Sequence, residues 1–415
     1  MRACCCCLAL ALASACGRAF AGQGGDPILE RSVKELASRI TEKPSGLELL
    51  FDQSFFNYVS LEQLTGILAA VHGTCGRVVS WRAEGGGHFI LETERGFEVP
   101  AALAVDPVTG RIRSVFFKTA NKKDTALKGT RAALAALPGR AGLLAARLGE
   151  GGGNIEELNS GRHFAVASGF KLYVLGALLE EGFPWKKVLP LKEEDKSLPP
   201  GRLLRWPDGA PLTAHTLATL MISENDDTAA DVLISALGRK TIESDLAALG
   251  HSDPSLLKPF LRTSEAFRLK ADSAASLKYL NLTAPEKYAY LAALPAALPA
   301  AARAKQSPFG LDSIGWRASP ADLCRLMGAI LKADDRRALE ILALDPGLNV
   351  PLGFLYAGYK GGSEPGVLSM TWLLNTPERG WVCLAAAWNS EKDKIDEARF
   401  SGIMQGALNA LGKAN

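Results

Sequence analysis

A serine followed three residues later by a lysine, where an apolar run meets a helix, constrains this chain more than any other feature. The apolar residues 163–167 precede Ser168, and an amphipathic segment runs from Leu172 to Gly182, a residue typical of helix C-termini. Lys171 then lies one helical turn beyond Ser168 on the same face, so its amine can reach the hydroxyl as a base. The pattern predicts a nucleophilic Ser168 activated by Lys171; the alternative is a serine that only caps the helix.

The same spacing occurs a second time, at Ser255 and Lys258. Pro254 and Pro259 flank this copy, and proline is poorly tolerated inside a helix. We therefore expect the second copy to be coincidental.

Two polar segments follow the serine motif along the chain. They are Ser223-Glu224-Asn225-Asp226-Asp227 and Lys360-Gly361-Gly362-Ser363. With the first motif they resemble, in order, the Ser-x-x-Lys, Ser-Asp-Asn and Lys-Thr-Gly motifs of the class A β-lactamase-like serine hydrolases, in the penicillin-recognising enzyme superfamily. The resemblance runs from about residue 130 to the C-terminus.

Within that superfamily the chain is most similar to the two-domain β-lactamase-like proteins of clavulanic-acid clusters and to related lipoproteins. Four stretches carry this closer likeness, beginning at Ser168, Leu198, Pro259 and Lys360. The resemblance implies a two-domain α/β (α+β) protein. A signal peptide (1–21) would precede a small cystatin-like or NTF2-like (steroid-isomerase-like) α+β domain at 22–124. Residues 125–415 would form the hydrolase domain, an antiparallel sheet with helices and an all-helical insertion.

The resemblance also implies an activity. An exported serine hydrolase or acyltransferase would form an acyl-enzyme at Ser168 with ester, amide or β-lactam substrates, without a cofactor. Two alternatives stay open: a penicillin-binding DD-peptidase or transpeptidase acting on peptidoglycan, and a ligand-binding module that has lost turnover. The partner would be a small-molecule or peptidoglycan-derived substrate, and the protein is otherwise expected to be a monomer.

The middle motif departs from the family pattern. An ungapped match places Asn225-Asp226-Asp227 on Ser-Asp-Asn, so that Asn225 replaces the proton-relaying serine. Asp227 then replaces the amide donor, and its charge would disfavour an anionic substrate nearby. A rival register uses Ser223-Glu224-Asn225 as Ser-x-Asn, and the two registers differ by a rotation of roughly 200° on a helix.

The last motif is expected on an edge strand. Lys360 would orient a substrate carboxylate and lower the pKa of Lys171, while Gly361 and Gly362 let backbone approach the substrate. Gly361 stands where the family has threonine, and Ser363 could supply the missing hydroxyl. By resemblance, the backbone N–H groups of Ser168 and Ser363 would form an oxyanion hole.

The glutamate that activates water for deacylation in class A β-lactamases has no counterpart in the expected segment, because no Glu occurs between Gly250 and Thr263. Glu265 is expected to be a helix N-terminal charge. Glu157 precedes Ser168 and lacks the spacing. We therefore expect slow hydrolysis of an acyl-enzyme.

Composition narrows the remaining options. A net charge of +3 over 415 residues gives no support for nucleic-acid binding, and five isolated histidines give none for a metal site.

The N-terminus is typical of a signal peptide. It could be cleaved after Ala21, or Cys16 could receive a lipid anchor, giving a secreted or periplasmic protein or a cell-envelope lipoprotein. Cys75, Cys324 and Cys383 are widely spaced in apolar settings and are expected to be buried free thiols.

Local patterns predict two helices and then four strands in the first domain, at 27–39, 60–72, 77–83, 88–94, 97–105 and 111–117. In the second domain, helices are predicted at 213–221, 228–237, 285–294, 320–331 and from 395, and strands at 354–360, 368–374 and 380–388.

Overall fold

The computed structural model describes residues 27–118, 120–122, 127–149, 151–197, 201–294, 307–351, 353–392 and 395–412. The predicted signal peptide with Cys16, the stretch at Leu198 and the predicted domain boundary lie outside these residues. The described residues fall into two compact units, one within Met1–Thr125 plus Ala398–Gly406 and the other within Ala126–Glu397 plus Ala407–Asn415. No described helix is both long and apolar enough to cross a membrane.

The first unit is α+β, with helices followed by an antiparallel sheet in the order β1-β2-β3-β4, where β5 also pairs with β3. Its elements are α1 (Pro27–Arg39), α2 (Leu47–Leu50), a 3₁₀ turn (Gln53–Asn57), α3 (Leu61–Cys75), β1 (Val78–Gly85), β2 (His88–Thr93), β3 (Phe97–Val105), β4 (Ile112–Phe117) and β5 (Asn121–Lys122).

Local chemistry explains these elements. Ser60 and Gln63 form the capping box that starts α3, since each side chain accepts a hydrogen bond from the other residue's backbone N–H. Along β3, the alternate residues Val99, Ala101 and Leu103 are buried, which is the period expected of a sheet with one face on a core. The helices and strands agree with the sequence prediction, although α3 runs to Cys75 and the short strand β5 was not predicted. The cystatin-like or NTF2-like likeness stays a prediction.

The second unit is built on a five-stranded antiparallel sheet in the order β12-β13-β14-β6-β7. These strands are β6 (Arg140–Arg147), β7 (Asn154–Leu158), β12 (Tyr356–Glu364), β13 (Val367–Thr376) and β14 (Gly380–Asn389). Short strands form two further pairs, β8 (Phe164–Ala165) with β11 (Arg317–Ala318) and β9 (Val188–Pro190) with β10 (Pro211–Thr213). Residues of β13 and β14 are buried almost without alternation, so both faces of the sheet are covered.

Ten α-helices are described wholly within the second unit. They are α4 (Leu127–Ala135), α5 (Lys171–Glu180), α6 (Ala214–Ser223), α7 (Asp227–Leu237), α8 (Arg239–Asp245), α9 (Thr263–Ala271), α10 (Ser273–Leu280), α11 (Ala284–Ala292), α12 (Pro320–Lys332) and α13 (Arg336–Ala343). The last helix, α14 (Glu397–Gly412), is shared between the two units. The predicted helices and strands are thus present, with ends shifted by a few residues. The second Ser-x-x-Lys copy lies on a 3₁₀ turn, Pro254–Leu257, and not inside an α-helix.

The prediction of free thiols is wrong for two of the three cysteines. Cys324 on α12 and Cys383 on β14 form a disulfide across a sequence separation of 59 residues. α12 packs on the face of the sheet at β14, and this packing brings the two sulfurs together. Cys75 is the free, buried cysteine of the described residues, and burial raises its pKa to about 11.

Replacing both Cys324 and Cys383 by Ala should lower the free energy of unfolding of the second unit by about 2–4 kcal/mol, because the unfolded chain regains the freedom of a long loop. Urea unfolding followed by tryptophan fluorescence measures the effect, with Cys75→Ala as the matched control. An unfolding midpoint equal to that of the control would contradict a native disulfide.

Candidate active site

The proposed nucleophile lies on a tight turn. Ser168 belongs to the 3₁₀ turn Ala167–Phe170 between β8 and α5, and Ala167 adopts a left-handed φ of 44°. That conformation is costly for a residue other than glycine, and such strain is found mostly at functional sites. The ring of Phe170 stacks on the ring of Trp316, with 3.8 Å between the ring centroids, and this contact anchors the turn. The Ser168 side chain is half-buried, and no hydrogen bond from its hydroxyl to another described residue is present.

Strand β12 approaches this turn without room for a side chain. A Cβ built on Gly362 would lie 2.7 Å from the amide nitrogen of Ser168 and 2.6 Å from that of Gly169, and would overlap the carbonyl oxygen of Val166. Heavy atoms this close cannot coexist, so only glycine fits. Gly362 therefore brings the edge strand onto the backbone of the nucleophile turn.

Lys171 follows on α5 and is fully buried. Its Nζ donates to the Asn225 carbonyl oxygen at 2.7 Å, to Asn225 Oδ1 at 3.0 Å and to Asp227 Oδ1 at 2.7 Å. Burial lowers the pKa of Lys171, and the Asp227 carboxylate opposes that shift. Burial likewise raises the pKa of Asp227, opposed by Lys171. The pair is charged in our account, because three acceptors surround one amine and each N–H has a partner.

Asn225 lies between the two lysines in the short loop that joins α6 to α7. Its Oδ1 accepts hydrogen bonds from Lys171 and from Lys360, at 3.0 and 2.9 Å. Its φ of 57° is left-handed, which asparagine tolerates better than most residues. Asp226 fixes the loop, since its carboxylate caps α7 by accepting from the amide of Ala229.

These contacts favour the ungapped register of the middle motif. Asn225 and Asp227 contact the lysines, as in the ungapped match, whereas the Ser223 hydroxyl donates to the Thr219 carbonyl within α6. Asp227 is 2% exposed and bound to Lys171. Its charge is therefore paired with that of Lys171 inside the protein.

Lys360 lies on β12, the edge strand, as predicted, and is 4% exposed. Its Nζ donates to Asn225 Oδ1 and, at 2.7 Å, to the Gly361 carbonyl oxygen. Burial, followed by the charge of Lys171, holds the pKa of Lys360 well below its ordinary value.

Gly361 and Ser363 lie on the other face of β12. A Cβ on Gly361 would overlap the Tyr359 hydroxyl and lie 2.8 Å from Tyr359 Cζ. The phenol thus fills the space that the family's threonine would need, which explains the glycine. Ser363 is exposed, and its hydroxyl donates to Glu397 at 3.3 Å.

The segment expected to carry a deacylating glutamate is held by other hydrogen bonds. The backbone N–H groups of Thr263 and Ser264 donate to the two oxygens of Asp231, at 2.6 and 2.9 Å. Burial raises the pKa of Asp231 to about 7. Glu265 accepts from the Arg262 amide and pairs with Arg239, so it is the helix N-terminal charge that the sequence predicted.

One cluster escaped the sequence analysis. His163, His251 and Asp322 are far apart in the chain. Their possible metal-ligand atoms nevertheless lie within 4.8 Å of one another. His163 Nε2 lies 3.2 Å from Asp322 Oδ2, and His251 Nε2 lies 2.8 Å from the Arg317 carbonyl oxygen. Arg325 also pairs with Asp322, and its positive charge opposes a bound cation. We therefore assign this network a structural part and no metal.

Replacing Gly362 by Ala should displace β12 from the Ser168 turn and reduce the reaction of Ser168 with a fluorophosphonate at least 100-fold, a loss typical of misplaced catalytic groups. Intact-protein mass spectrometry over time gives the rate. Gly161→Ala is the control, because its Cβ would meet nothing within 4 Å. Equal rates for the two variants would show that the close approach is unimportant.

Comparison with known proteins supports the family resemblance. A model of the beta-lactamase enzyme family matches residues 127–346, more than half of the chain. No curated protein is significantly similar. Among solved structures, the chain is similar to a beta-lactamase from Sphaerobacter thermophilus DSM 20745, with 24% identity over 70% of this chain and 98% of that chain and a TM-score of 0.49. A beta-lactamase from Chitinophaga pinensis DSM 2588 is 16% identical over 69% and 98% of the two chains, with a TM-score of 0.48. On the family match, the chain belongs to the beta-lactamase enzyme family.

Proposed function

We propose that this protein is an exported serine hydrolase or acyltransferase that forms an acyl-enzyme at Ser168 with ester, amide or β-lactam substrates. One observation carries the proposal. The serine lies on a strained turn three residues before the buried Lys171, and the strand that carries the buried Lys360 approaches the backbone of that turn at Gly362; the two lysines share one oxygen of Asn225. Buried amines on the elements that meet at the turn of a serine, whose hydroxyl has no hydrogen-bond partner among the described residues, can activate that serine as a nucleophile.

The reaction follows the general course of acyl transfer. The Ser168 oxygen bonds to the substrate carbonyl carbon while a buried amine accepts its proton. The backbone N–H groups of Ser168 and Ser363 would stabilise the oxyanion, a role that the approach of β12 to the Ser168 turn supports. The amide nitrogen of Asn225 stays available to donate to the substrate, since its oxygen faces the lysines. Water or an acceptor then releases the acyl group.

The penicillin-binding peptidase reading depended on the Ser223 register. Because the Ser223 hydroxyl is bound within α6, this alternative loses its main support. The reading as a silent ligand-binding module is tested directly by covalent labelling. Export, and either soluble release or a lipid anchor at Cys16, are part of the proposal and rest on the N-terminal sequence.

Ser168 should be the residue that a fluorophosphonate or a penicillin labels covalently, since its turn leads into the helix of the buried Lys171 and is approached by the strand of the buried Lys360. Peptide mass spectrometry locates the adduct, and Ser168→Ala should abolish it. Ser223→Ala and Ser255→Ala are matched controls that should keep it. An adduct that survives Ser168→Ala would refute the assignment, and a parent protein without any adduct would favour the silent module.

With a chromogenic cephalosporin, the protein should show a burst of one equivalent followed by slow turnover. Two carboxylates lie near residues 250–263, the segment in which a deacylating glutamate was sought, and both already have partners. Glu265 pairs with Arg239, and Asp231 accepts hydrogen bonds from two backbone N–H groups. Without a general base to activate water, deacylation should be about 10²- to 10⁴-fold slower than deacylation assisted by such a base. Stopped-flow absorbance measures both phases. Fast turnover with no burst would show that another group activates water, and Glu265→Gln would then be the first variant to compare.

A further inference from the structure

The two buried lysines differ in how their hydrogens are used. Lys171 donates to three acceptors, two on Asn225 and one on Asp227. Lys360 donates to two, Asn225 Oδ1 and the Gly361 carbonyl oxygen. An ammonium has three N–H groups and no lone pair, whereas a neutral amine has two N–H groups and one lone pair. One of the three acceptors of Lys171 is a carboxylate, which fits an ammonium, whereas the two acceptors of Lys360 among the described residues are neutral oxygens, which a neutral amine can also satisfy.

The position of Lys360 on β12 directs its side chain toward the Ser168 turn. Side chains two residues apart point to the same face of a strand, so Lys360 emerges on the face of Gly362. Gly362 is the residue that contacts the backbone of Ser168 and Gly169. The Lys360 side chain thus leaves the strand on the side that meets the nucleophile turn.

Three charged groups act on Lys360 from the elements around it. Lys171 on α5 lowers its pKa, while Asp227 on α7 and Asp345, which follows α13, raise it. Burial, the largest effect, lowers it further, and the net shift is strongly downward. Lys171 is different because Asp227 forms a direct ion pair with it at 2.7 Å. The charges around the two amines thus agree with their hydrogen bonds.

We propose that Lys360, rather than the Lys171 expected from the sequence, accepts the proton of Ser168, and that Lys171 remains a cation that positions Asn225 and Asp227. This inference rests on the proposed function of Ser168. As the serine oxygen bonds to the carbonyl carbon, its proton passes to the lone pair of Lys360 Nζ and the carbonyl π electrons move to oxygen. When the bond to the leaving group breaks, that group takes the bonding pair and the proton returns to it from Lys360.

Arginine separates the two roles, because its guanidinium keeps the charge and the donors but does not act as a base. Lys360→Arg should lower the rate of Ser168 acylation about 10²- to 10⁴-fold, the usual loss for a general base. In Lys171→Arg the rate of Ser168 acylation should fall less, since a cation is retained at that position. In the parent protein, the acylation rate should fall with decreasing pH as Lys360 becomes protonated. The inference would be overturned if Lys171→Arg lost the acylation of Ser168 while Lys360→Arg retained it.

A second measurement needs no active variant. In the parent protein labelled with ¹³Cε-lysine, NMR titration should show Lys360 deprotonated at pH 8 and Lys171 protonated, with each signal assigned by its loss in the arginine variant. The reverse order would refute the inference even if a variant is inactive. If no probe labels Ser168 at all, the proposed function fails, while the titration still decides which lysine is neutral.

Discussion

The site depends on one shared acceptor, the side-chain oxygen of Asn225, which receives hydrogen bonds from Lys171 and Lys360. Two buried amines cannot both carry a charge around one neutral oxygen without strong repulsion. The Asp227 carboxylate forms its direct ion pair with Lys171, and acts on Lys360 only through its charge. This asymmetry leaves one amine charged and the other neutral, and the chemistry proposed for Ser168 follows from that division.

Two parts of the fold hold the network in place. The loop between α6 and α7 supplies Asn225 in a left-handed conformation and is fixed by the capping carboxylate of Asp226. Strand β12 supplies Lys360 and approaches the Ser168 turn through Gly362. Because an unpaired buried charge costs several kcal/mol, each partner of the Lys171–Asp227 pair is needed to keep the other buried.

Much of this was predictable from the sequence. The motifs at Ser168, Asn225 and Lys360 carry chemistry in short, ordered segments, and helices such as α12 have a local capping signal. Features that need distant parts of the chain were missed: the Cys324–Cys383 disulfide and the cluster of His163 with His251 and Asp322. The burial of Asp227 against Lys171 was missed for the same reason. Periodicity and spacing report the neighbours of a residue along the chain, not those brought to it by packing.

The most direct test is a crystal structure of the protein after reaction with a penicillin. The account predicts continuous density from Ser168 Oγ to the opened ring, with the ester oxygen between the amides of Ser168 and Ser363. It also predicts Lys360 Nζ on the leaving-group side and Lys171 still bound to Asp227. Density on another residue, or an ester oxygen turned away from β12, would contradict it.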